Sequence, residues 1–68
     1  MSRANPSKIL QYFAYKHLPA HLQVVSSAFY ALADEMDNTL VDCAEKSAGL
    51  RKLLEAKDCM VRAALEKE

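Results

Sequence analysis

Between Asp42 and Leu65 the apolar residues return at helical spacing. At about 100° per residue, Leu50, Leu53, Leu54, Met60, Val61, Ala64 and Leu65 fall within one broad arc, with Lys52, Glu55, Cys59 and Arg62 opposite. The pattern predicts a helix over 42–66 with one side buried. Asp42, followed three residues on by Glu45, reads as a capping box that starts it. Upstream, Leu22, Val25, Phe29, Leu32, Met36 and Leu40 recur at alternating steps of three and four, the seam of a helix packed along another helix. This predicts a second helix over 19–40, opened by Pro19. Leu40, Val41 and Asp42 leave room only for a tight connection, which forces the two long helices antiparallel. Ahead of them, beyond a frayed tail at Met1 to Ala4, Asn5 and Pro6 suit a helix start and predict a short helix over 6–15. Its Ile9, Leu10, Tyr12, Phe13 and Tyr15 are too many for one side, so some must meet another element or another subunit. The expected fold is all-α: one domain over 1–68, a short N-terminal helix followed by a long antiparallel hairpin.

Two charges interrupt the apolar arc of the last helix. Lys57 projects near its middle and Lys46 lies close to the same line, about three turns nearer the N-terminus. An unpaired buried ammonium is strongly disfavoured, so each must reach the rim, find an acid or face an anionic ligand. With the turn centred near Val41, facing residues have numbers that sum to about 83. Lys46 then comes opposite Asp37, and an Asp37–Lys46 pair is expected. Lys57 comes opposite Ser26, which offers only a hydroxyl, so its acceptor is expected from the N-terminal helix or a second chain.

Length and composition change the picture in one respect. A 68-residue chain buries too small a core to supply much stability alone, and 51% hydrophobic content is high for so much surface, so an oligomer is expected. Nine basic residues balance nine acidic ones, which argues against a general DNA, RNA or membrane-surface binder. Cys43 and Cys59 stand about 24 Å apart along one helix at 1.5 Å per residue, beyond disulfide reach, and are expected as free thiols in a reducing compartment. With neither a signal-peptide pattern nor a bilayer-long apolar run, the chain is expected to be soluble and to remain inside the cell.

Catalysis finds little support. Gly49 is the single glycine, so no glycine-rich phosphate loop can form, and neither cysteine sits in a nucleophile arrangement. His17 and His21 have Pro19 between them, which spoils a shared helical face; no metal and no cofactor are expected. Tyr12, Tyr15, Lys16 and His17 form an aromatic and basic cluster. Rings stack on bases and cations neutralise phosphates, so the cluster suits a nucleotide, although the same tyrosines would equally serve subunit packing. Glu45, Lys46, Ser47, Leu50 and Arg51 lie at a helix start, where free N–H groups favour anions, and the ordinary alternative is a capping box with solvated charges.

Taken together, YFAYKHLPAHLQVVS, AFYALA and AEKSAGLRKLLEAKDCMVRAAL resemble a set of small phage proteins, the anti-CBASS sponges, whose helical hairpin is also similar to a domain of the anti-Thoeris sponges. The likeness runs from Tyr12 to Leu65 and is most specific in GLRKLLEAKDCMVRAAL. It implies a non-enzyme that assembles as a homo-oligomer, typically a hexamer, and sequesters cyclic di- and trinucleotide immune signals without cleaving them, in the cytoplasm of the infected bacterial host. The resemblance implies that Tyr12, or Tyr15 in its place, stacks on a base of a cyclic dinucleotide. Where the family pattern carries a basic residue followed by proline, this chain has Ser27 and Ala28; Ser26 and Ser27 are counted with Lys16 and His17 among the ligand candidates. Lys46, Ser47 and Arg51 match the positions implied for a second, trinucleotide pocket. The alternative from another class is a helical module that covers and inhibits a host protein.

Overall fold

The computed structural model describes residues 7–66. The tail at Met1 to Ala4 and the helix opening at Asn5 and Pro6 lie outside the described residues. Among those described, the chain is all-helical: a six-residue 3-10 helix, Lys8–Phe13, then α1, Ala20–Thr39, and α2, Ala44–Leu65. The contact of Lys46 with Asp37, and the sharing of one cavity by Lys57 and Ser26, place early α2 beside late α1 and late α2 beside early α1. The long helices are therefore antiparallel, in the register expected, and the 3-10 helix packs on both. Among the described residues no helix is long and apolar enough to cross a membrane.

The element ends depart from expectation in three places. The first helix is a tight 3-10 turn that stops at Phe13 rather than Tyr15. Pro19 stands just outside α1 instead of opening it, and its carbonyl receives the Leu22 and Gln23 N–H groups at 2.9 and 3.0 Å. Gln23 secures this corner from within the helix, its side-chain amide donating to the Leu18 carbonyl at 2.8 Å and the Lys16 carbonyl at 3.3 Å. At α2 the expected capping box of Asp42 and Glu45 does not form. Cys43 is the cap residue, without a side-chain bond, because the Asp42 carboxylate instead accepts from the Lys46 ammonium four residues on. Both bonds are charge-assisted, but the ammonium brings a full positive charge to the carboxylate where a backbone N–H brings a partial one.

The core is small. Leu10, Phe13, Ala33 and Leu50 are buried together, with Ile9, Phe29, Tyr30, Met36, Leu53 and Leu54 packed around them. Phe13 is fully enclosed, so the 3-10 helix is held by its own aromatic anchor. The face that α1 turns inward is rotated from the expected leucine seam. Its buried residues are Leu22, Ser26, Ala33 and Asp37, whereas Leu32 and Leu40 are exposed and Val25, Phe29 and Met36 are half-buried. The displacement has a steric cause: α1 must accommodate α2 and also Leu10 and Phe13, and small residues at 26 and 33 leave room for a third element. The stripe Leu32, Met36 and Leu40 then borders, with Leu53 and Gly49 of α2, an open apolar groove of about 300 Å³.

Candidate functional site

The 3-10 helix ends in an extended stretch and a turn, Ala14 to Leu18, closed by the Leu18 N–H donating to the Tyr15 carbonyl at 3.0 Å. This corner carries Tyr15, Lys16 and His17 of the ligand candidates, and it is held in place because Phe13 below it is locked in the core and Gln23 ties its carbonyls to α1. On one side, Tyr15, Lys16 and His17 line an open cavity of about 460 Å³ with Tyr30 of α1. The rings of Tyr15 and Tyr30 lie 5.7 Å apart at 53°, a tilted pair that fixes Tyr15 as a half-buried wall. Lys16 and His17 are exposed at the rim.

On the other side of the corner lies a second cavity, of about 410 Å³, between the 3-10 helix, α1 and late α2. Tyr12 and His17 stand at it with Ser26, Lys57, Asp58 and Arg62. Tyr12 is 59% exposed and its ring is free of aromatic partners among the described residues. The expectation that the N-terminal helix or a second chain supplies the acceptor for Lys57 is corrected: Asp58, its neighbour in sequence, stands 3.4 Å from the ammonium. Ser27 takes no part in this wall; it is half-buried, with its hydroxyl donating to the Val24 carbonyl at 3.4 Å.

The second group of candidates divides. Ser47 and Arg51, both exposed, face Ser7, Lys8 and Ile9 across a cleft of about 300 Å³ between α2 and the 3-10 helix. Lys46 is elsewhere, in the hairpin turn. Its ammonium lies 3.0 Å from the Asp37 carboxylate, donates to the Asp37 and Leu40 carbonyls at 3.2 and 3.3 Å, and bonds to Asp42. The expected Asp37–Lys46 pair is present. Those two carbonyls belong to the end of α1, so Lys46 also serves as the cation that caps that helix.

Asp37 is held just as fully. The Ser7 N–H donates to it at 3.0 Å and the Ser7 hydroxyl donates to its other oxygen. Burial pushes this carboxyl up, but the Ser7 and Lys46 donors outweigh that and lower it to about 2. The bond to Asp42 raises Lys46 above its ordinary 10.5; burial opposes this and Asp37 adds to it. Lys46 is thus a structural group with every donor occupied among the described residues.

Sequence reasoning did not single out Tyr30, Arg62 or Lys8 as site residues. Tyr30 follows Ser26 by one turn, so helical spacing alone would have placed it beside a residue already under consideration, whereas Arg62 was read only as part of the polar side of its helix. Lys8 carried no such signal. Among the described residues no group of three or more His, Cys, Asp or Glu is arranged to hold a metal ion, and Cys43 and Cys59 are exposed free thiols. The fold and clefts define a small helical hairpin with an aromatic and cationic corner. No family model, no curated protein and no solved structure matches the chain.

Proposed function

We propose that the protein is a non-catalytic binder that sequesters cyclic oligonucleotides, di- and trinucleotides, and does so as a homo-oligomer of the hexameric kind that the sponge resemblance implies, in the cytoplasm of an infected bacterium. The observation that carries this reading is the corner formed by Tyr15 and Tyr30, packed as an aromatic wall, with Lys16 and His17 at its rim and exposed Tyr12 beside it. Flat rings for bases next to cations for phosphates is the chemistry a nucleotide requires. One hairpin offers only open cavities, and ligand pockets normally enclose most of the ligand, so a second subunit completes the enclosure. The exposed stripe of Leu32 and Leu40 gives that subunit an apolar surface to cover.

The same stripe is what a host protein would cover in the alternative reading, and direct binding separates the two. Calorimetry of the purified chain against a panel of cyclic di- and trinucleotides is expected to show binding without any protein partner, and chromatography of the released ligand to recover it intact. Tyr12→Ala is expected to weaken dinucleotide binding by roughly one to two powers of ten, the worth of one stacked base. A chain that leaves the whole panel unbound, or that returns linear products, overturns the reading.

A further inference from the structure

The geometry points to the cavity between the 3-10 helix, α1 and late α2 as a phosphoryl subsite, in which Lys57, Arg62 and Ser26 hold a phosphodiester oxygen pair of a nucleotide whose base lies on Tyr12. This inference rests on the nucleotide-binding reading above and adds residues to it. Two observations carry it. The Ser26 hydroxyl is fully buried in the wall of this cavity and has no hydrogen-bond partner among the described residues. A buried hydroxyl left unpaired is costly, so such a group in a native structure calls for a partner, which a water, an ion or a ligand can supply.

Beside it, the Lys57 side chain is only 12% exposed, and its one charged partner among the described residues is the Asp58 carboxylate at 3.4 Å, itself half in solvent. An ammonium has three donors, and a single carboxylate at 3.4 Å leaves capacity for further acceptors on the side that faces the cavity. Arg62 lines the same cavity; among the described residues its guanidinium donates to the Cys59 sulfur at 3.4 Å, a weak acceptor that an anion readily replaces. Two cations against one carboxylate leave the cavity net positive. The combination of ammonium, guanidinium and hydroxyl donors, without a second acid, selects a phosphoryl oxygen over a cation or a neutral sugar.

The test is calorimetry of the full chain and of Ser26→Ala, Lys57→Met and Arg62→Ala against cyclic di-AMP, cyclic tri-AMP and inorganic pyrophosphate, with a melting curve for each protein. Lys57→Met keeps the buried stem, and Arg62→Ala trims an exposed residue, so both are expected to fold. Each is expected to weaken the bound cyclic nucleotide about tenfold or more and to flatten its salt dependence. Ser26→Ala is expected to melt no lower than the parent and still to bind several times more weakly, a combination that a purely structural serine does not produce. Pyrophosphate is expected to compete only weakly, because it lacks the base that Tyr12 holds; competition as strong as that of the nucleotide would overturn the assignment to a nucleotide phosphate. If the parent chain binds cyclic nucleotides and all three variants match it, the phosphoryl subsite is overturned and the sequestering function stands. If the parent binds no member of the panel, the function fails first and the subsite with it.

Discussion

Lys46 and Lys57 interrupt the same apolar stripe, yet they come to rest in different electrostatic surroundings. Lys46 is enclosed by two carboxylates and two helix-end carbonyls, while Lys57 has one acid, at 3.4 Å, among the described residues. The first arrangement is a structural device, because Asp37 joins the N-terminal segment, through Ser7, to both helices of the hairpin. Its contribution has a definite pH dependence. Asp37 titrates at about 2 in the folded chain against 3.8 as the ordinary value, so the stabilisation is fully present above that ordinary value and is lost as the pH falls toward the folded one. Asp37→Asn is expected to cost about 2 kcal/mol at neutral pH, the worth of a hydrogen bond to a charged group, and to remove this part of the acid sensitivity. Denaturant melts at pH 7 and pH 3 check it; a variant as stable as the parent at pH 7 would show that Asp37 is not the junction.

At the scale of elements, the 3-10 helix gives the hairpin its clefts. Two parallel cylinders leave only shallow grooves, and inserting Leu10 and Phe13 beside small Ser26 and Ala33 opens one cleft on each flank of the inserted segment. The aromatic corner and the Arg51 cleft have no lining residue in common. Under the two-pocket arrangement implied by the sponge resemblance, Arg51→Ala is expected to weaken cyclic trinucleotides at least about tenfold, as for a lost charged hydrogen bond, and to spare dinucleotides. Calorimetry with both ligand sizes decides it, and equal losses for both would merge the two sites into one.

For the whole molecule, the balance of buried and exposed apolar surface matters more than any cleft. Leu32, Leu40, Val41, Met60 and Leu65 are all more than two-fifths exposed in the single chain. Leu32 and Leu40 border one apolar groove and Val41 follows Leu40 in the connection, an exposed apolar run that is seldom left in water. Light scattering at micromolar concentration is expected to give a mass near six times the 7.6 kDa of one chain. Leu40→Glu is expected to reduce that mass while leaving the helical signal intact, since Leu40 lies outside the core. A stable monomer of the parent chain would remove the oligomer from the proposed function.

Periodicity by itself determined two long helices, their antiparallel order and the meeting of Lys46 with Asp37, because each follows from local spacing and a connection too short for any other path. It also put Tyr15, Lys16 and His17 on one short segment, which the fold keeps together at one cavity. Tertiary structure decided the rest. The α1 face that is buried carries Ser26, Ala33 and Asp37 beside Leu22, in place of Leu32 and Leu40, since a third element competes for the same side and steric fit outweighs hydrophobicity there. Asp42 left its cap position for Lys46, and Lys46 left the company of Ser47 and Arg51, because a buried ammonium takes the nearest charged acceptors whatever its place in a sequence motif.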